Sequence, residues 1–60
     1  MKDKIIESLR DYRDDHKLSD RELSRLLGVH WNSIYNWFSG RERPSTLARA
    51  RIKEFLIKNL

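Results

Sequence analysis

The side chains whose types and spacing bear most on chemistry lie between Val29 and Ser39, a stretch without a formal charge. Asn32 and Asn36 stand four residues apart, so on a helix they share a face. A carboxamide offers a donor and an acceptor side by side, which matches the major-groove edge of adenine. Two amides one turn apart can therefore read neighbouring base pairs. Ser33 adds a hydroxyl, and Trp31 an apolar surface that suits a thymine methyl group. Taken alone, such a pair of amides also describes an ordinary solvated face, so the surrounding residues must decide.

A neutral reading surface needs its attraction from elsewhere, because phosphate neutralisation dominates the strength of nucleic-acid binding. Residues 1–18 hold five basic and five acidic side chains, residues 19–40 two of each, and residues 41–60 six basic and two acidic. The whole +4 excess thus lies in the last third, and with a pI near 9.9 it suits an anionic partner, nucleic acid first. Arg41 and Arg43 directly follow the uncharged stretch. Ser19 and Arg21 open the segment before it, where free helix N–H groups also suit a phosphate. His30 either caps the uncharged segment or touches a phosphate. Arg25 faces either a duplex or solvent. Arg49, Arg51, Lys53 and Lys58 read as general surface charge.

Other chemistries find little support. The 60 residues accommodate one domain, and the lack of cysteine removes disulfides, thiolate zinc sites and thiol nucleophiles. A reducing cytoplasm, with association to the nucleoid, is the expected setting. His16 and His30 have no partner at metal-ligand spacing, and Asp14-Asp15-His16 reads as a solvated helix end. No glycine-rich phosphate loop occurs. The longest apolar run, Phe55-Leu56-Ile57, is too short for a membrane span. The sequence is therefore expected to be neither an enzyme nor a membrane protein, and to need no cofactor, metal or small-molecule ligand.

Four helical segments must position these groups. The first, from about Lys2 to His16, places Ile5, Ile6, Leu9, Tyr12 and His16 on one stripe, with Lys2, Asp3, Asp11, Asp14 and Asp15 facing water. Its end, Asp14–Leu18, reads as frayed. The second begins with a capping box, Ser19-Asp20-Arg21-Glu22. Leu18 and Leu23 are placed for a hydrophobic staple, Leu23, Leu26 and Leu27 form the buried face, and Gly28 ends the helix. The third runs from about His30 to Ser39, and Gly40 stops it in the same way. Setting Ile34 and Trp37 inward, with Phe38 beside them, leaves Asn32, Tyr35, Asn36 and Ser39 outward. The fourth follows Pro44, capped by Ser45 or Thr46, with Leu47, Ala48, Ile52, Phe55 and Leu56 along one side to about Lys58.

Gly28-Val29 leaves too few residues between the second and third segments for an antiparallel hairpin. They must cross steeply, which is helix-turn-helix geometry. Ser24 is small where the helices meet, and Val29 tucks beneath the turn. Residues Leu18 to Val29, then Ser33-Ile34-Tyr35-Asn36-Trp37-Phe38-Ser39-Gly40-Arg41 and Pro44-Ser45, resemble the Cro/phage-repressor (XRE-type) helix-turn-helix family over about residues 18–47. Trp31 and Phe38 stand where most members carry polar or charged residues.

The resemblance implies an all-α, lambda-repressor-like bundle of four helices, with the family's fifth helix short or absent. Residues 1–60 would form one domain, with the helix-turn-helix unit at about 19–39. It implies sequence-specific double-stranded DNA binding through a recognition helix in the major groove, and a transcriptional regulator, repressor or autoregulator. The matching base-reading positions are Trp31, Asn32, Ser33 and Asn36. The backbone-contacting set is Ser19, Arg21, His30, Ser39, Arg41 and Arg43. A two-fold dimer is also implied, and Ile57 and Leu60 at the end of the fourth helix are the candidate surface. The rival reading is a protein-interaction module that docks a partner through Trp31 and Tyr35 or through the last helix. A homeodomain fits less well, because its reading helix continues as a basic stretch where this chain has Gly40 and Pro44.

Overall fold

The computed structural model describes residues 3–59, so Lys2 and Leu60 lie outside what can be compared. Four helices follow in order: α1 (Lys4–Asp15), α2 (Asp20–Leu27), α3 (Trp31–Ser39) and α4 (Thr46–Lys58). No strand occurs among the described residues. The fold is all-α, as expected. α2 packs on α3 and α1 on α4, with α1 also touching α3 and α2 touching α4.

Each helix starts on a short polar side chain that satisfies an otherwise orphaned backbone donor. Asp3 accepts from Ile5 N–H at 3.2 Å, and Ser45 accepts from Ala48 N–H at 3.2 Å. Ser19 accepts from Glu22 N–H at 3.1 Å while Ser19 N–H donates to the Glu22 carboxylate at 3.2 Å, which completes the capping box.

Three helix ends close in the same way. The residue after the helix is left-handed, at φ 53 for Lys17, 75 for Gly28 and 81 for Gly40. The next N–H then reaches back five residues: Leu18 to Arg13 O, Val29 to Ser24 O and Arg41 to Asn36 O. The end of α1 is therefore an ordered stop rather than a frayed one. It hides in the sequence because a lysine fills the position that usually falls to glycine.

The core is Ile6, Leu9, Leu23, Leu27, Ile34, Trp37 and Ile52, with Ile5, Tyr12, Leu18, Val29, Phe38, Ala48, Phe55 and Leu56 packed around it. Leu9, Leu23, Ile34 and Ile52 are fully enclosed. Truncating any of them to alanine should cost about 2–5 kcal/mol, a large share of a small domain's total stability.

Four expectations need correcting. Leu26 is 53% exposed, because the side of α2 facing its neighbours carries Leu23, Ser24 and Leu27. Leu47 is 76% exposed: five residues before the buried Ile52, it stands about 140° round the helix from it. His16 is not buried but stacks on Tyr12 from outside, ring centroids 4.0 Å apart. Asp3 does not simply face water. It is half-buried and forms a two-pronged ion pair with Arg49 of α4, one prong at 3.2 Å.

Candidate nucleic-acid interface

The relative placement of α2 and α3 fixes whatever surface α3 presents. Ser24 is buried where the two helices meet. Its hydroxyl donates to Arg21 O at 2.6 Å, so no polar group is stranded there. At the turn, Arg51 reaches across from α4, and its guanidinium donates to Gly28 O at 3.1 Å. Arg51 is thus a clasp on the turn rather than general surface charge. A β-carbon at Gly28 would stand 3.2 Å from the same Arg51 Nη1.

His30 caps α3. Its ring Nδ1 accepts from Asn32 N–H at 3.1 Å, which requires the proton of the neutral ring to sit on Nε2. Ile34 and Trp37 point into the core as expected. At about 100° per residue, the opposite arc reads Trp31, Tyr35, Ser39, Asn32, Asn36 from one edge to the other. Trp31, Asn32, Tyr35 and Ser39 are exposed, whereas Asn36 is half-buried at one edge. Ser33 lies beyond that edge, also half-buried. Of the four expected base readers, Trp31 and Asn32 stand well out. Tyr35, 47% exposed, sits nearer the middle of the arc than Asn36 or Ser33. Its outward position is legible from helical spacing, but by sequence its ring is assigned to protein docking rather than to a base.

Trp31, 42% exposed, is held from two sides. The His30 ring stacks on it with centroids 5.7 Å apart, and the Arg21 guanidinium lies 5.6 Å from its centroid. This brings the first turn of α2 against the first turn of α3, so Arg21 belongs to the same surface as Trp31. Ser19 is exposed but its oxygen already serves the capping box. Ser39 donates to Asn36 O at 3.3 Å.

The ion pairs leave the cations of this side available. Arg13 takes Asp14 and Asp20 at 3.1 and 2.9 Å, Arg49 takes Asp3, and Lys58 takes Glu54 at 3.1 Å. Among the described residues, none of these pairs engages Arg21, Arg25, Arg41 or Arg43, and all four are exposed. Pairing Asp20 with Arg13 also neutralises a carboxylate at the start of α2. The Arg49 hydrogen bonds hold the Asp3 carboxyl below the usual carboxylate range against the opposing effect of burial, assisted by Ile5 N–H and by the charges of Arg49 and Arg43.

Arg10 is a residue the sequence did not bring forward. Its guanidinium donates to Phe38 O at 2.9 Å, across 28 residues of chain. It also lies 5.2 Å from the Phe38 ring centroid, with Arg13 at 4.7 Å. Phe38 therefore serves as a platform for two cations of α1. The Arg10 bond satisfies a carbonyl at the end of α3, immediately before the loop that carries Arg41 and Arg43.

Among the described residues, no group of three or more His, Asp or Glu side chains can hold a metal ion. No helix there is long and apolar enough to cross a membrane. Neither a curated protein nor a solved structure matches the chain. A family model described as helix-turn-helix matches residues 9–51, which spans α2, the turn, α3 and parts of the flanking helices. With its contacting α2–α3 pair, its glycine turn and the outward face of α3, the chain belongs to the DNA-binding helix-turn-helix family of the Cro/phage-repressor (XRE) type.

Proposed function

We propose that this chain is a sequence-specific transcriptional regulator, a repressor or autoregulator. α3 enters the major groove of double-stranded DNA. Trp31, Asn32, Ser33 and Asn36 meet base edges, and Ser19, Arg21, His30, Ser39, Arg41 and Arg43 hold phosphates on either side. The observation that carries this reading is the division of the surface. The outer arc of α3 is neutral and hydrogen-bonding, while the exposed guanidiniums of Arg21, Arg41 and Arg43 flank its two ends. Phosphate contacts position a protein on the duplex, and base contacts specify where it stops. As a binding protein rather than an enzyme, it would work in the cytoplasm, on the nucleoid.

A single module of this size covers little DNA, so tight specific binding calls for pairing. We place the two-fold contact at the end of α4, where Ile57 is 65% exposed. Beside it, Ile5, Ala50 and Leu56 line a shallow depression between α1 and α4. Half-sites would then lie about one helical turn apart. Sedimentation of the protein free and on a selected duplex tests this, and a monomer in both states rejects it.

The DNA-binding reading itself is tested by mobility shift on random genomic duplex at low salt. A shift that fades as salt rises is expected. Its absence would favour the rival reading, in which exposed Trp31 and Tyr35 dock a protein.

A further inference from the structure

The composition of the α3 arc goes beyond DNA binding and indicates which base pairs are read. We propose that α3 is a reader of A·T pairs, with Asn32 and Asn36 on adenine edges and Trp31 and Tyr35 on thymine methyl groups. This rests on the DNA-binding reading above.

In the major groove, guanine is recognised chiefly by arginine or lysine and cytosine by aspartate or glutamate. Adenine is recognised by asparagine or glutamine, and thymine by apolar contact with its methyl group. The exposed arc of α3 contains no member of the first two classes and two members of each of the last two. The nearest guanidinium, Arg21, lies over the Trp31 ring. The next, Arg41, stands beyond the left-handed Gly40, off the helix.

The arrangement matches as well as the composition. Trp31 and Tyr35 form one row along the helix, and Asn32 and Asn36 a second, about 100° round from it. In an A·T pair the adenine N6/N7 edge belongs to one strand and the thymine methyl to the other. Two adjacent rows, one amide and one aromatic, can meet both bases of a pair or of neighbouring pairs. Tyr35 is thereby a specificity-determining residue. Trp31 is already fixed by His30 and Arg21, so little side-chain freedom is lost when its ring meets a base.

The test selects bound duplexes from a random pool and then titrates the full chain by fluorescence anisotropy against the best duplex and its base analogues. The expected selection has A·T pairs at the contacted positions. Changing one of these to G·C should weaken binding about 10- to 100-fold. Replacing thymine by uracil deletes the methyl group and should cost about three- to fourfold. Replacing adenine by 7-deazaadenine removes the N7 acceptor and should cost about tenfold. Tyr35→Ala, at an exposed position that leaves the core intact, should erase part of the thymine–uracil difference. Asn32→Ala should erase the adenine preference at one position.

Selection of G·C pairs at the contacted positions overturns the proposal. So does equal binding of the thymine and uracil duplexes together with the adenine and 7-deazaadenine duplexes. Retention of duplex without base preference overturns it while leaving DNA binding intact. Retention of no duplex at low salt removes both.

Discussion

The guanidinium of Arg21 lies over the indole of Trp31, 5.6 Å from its ring centroid. One cation thereby couples the first turn of α2 to the first turn of the helix that faces outward. Cation–π contacts at exposed sites are worth about 0.5–1 kcal/mol, and in the proposed function the same cation also holds a phosphate. Arg21→Ala should lower affinity for every duplex through the lost charge. It should also lower the preference for the selected site over random DNA, because Trp31 is released. Equal losses on both duplexes would show that the Trp31 contact carries no discrimination.

Arg43 is the simpler case. It is exposed on the α3–α4 loop. Arg43→Ala should weaken specific and random binding alike and reduce the slope of log K against log salt by about one. Asn36→Ala should do the opposite, costing about 1–3 kcal/mol on the selected site with little change on random duplex. An unchanged salt slope in the arginine variant removes the phosphate contact, and equal losses in the asparagine variant remove the base contact.

Lys17 and Gly28 hold the same left-handed backbone at φ 53 and 75 but should respond to mutation with opposite signs. A side chain in that region costs about 1–2 kcal/mol, while glycine adds about 0.5–1 kcal/mol of unfolded-chain entropy. Lys17→Gly should therefore stabilise by about 0.5–1 kcal/mol. Gly28→Ala should destabilise by about 0.5–1 kcal/mol on the same two effects, and further because the added carbon crowds Arg51 Nη1 at 3.2 Å. Urea midpoints with unchanged slopes would measure both, and a stabilising Gly28→Ala would contradict the turn geometry.

Asp3 links stability to pH. Its carboxyl is held below the ordinary range by the Arg49 hydrogen bonds, so the folded state binds this proton less readily than the unfolded chain. The contribution is complete above the unfolded value of about 3.9 and is lost as pH falls through the lower folded value. Asn is an equally good helix cap, so Asp3→Asn retains the bond to Ile5 N–H and removes the charge. The variant should be less stable at pH 7 and converge with the parent protein in strong acid. A stability difference that persists unchanged down to pH 2 would show that the ion pair is not its cause.

The features legible in the sequence are those with a local signature. The capping box at Ser19–Glu22, the serine cap of α4, the glycine stops and the inward Ile34 and Trp37 all follow from spacing and residue type. The contacts that complete the structure join residues far apart in the chain and leave no such mark. Asp3 with Arg49 spans 46 residues, Arg10 with Phe38 O spans 28, and Arg51 with Gly28 O spans 23. Each recruits an arginine that composition alone assigns to solvent. Leu26 and Leu47 mislead for a related reason. Leucine enters a predicted apolar stripe by type, but exposure depends on where neighbouring helices end. On the outer arc of α3, the amides and the outward Tyr35 were legible from their spacing, whereas the half-burial of Asn36 and Ser33 depends on the packing around α3 and was not.

Arg51 hangs from α4 yet holds the carbonyl of the turn between α2 and α3. The turn that joins those two helices therefore shares a hydrogen bond with the helix that packs on α1. Loss of the Arg51 guanidinium thus bears on the seat of α3 against α2 through the Gly28 carbonyl, although Arg51 itself lies outside both helices.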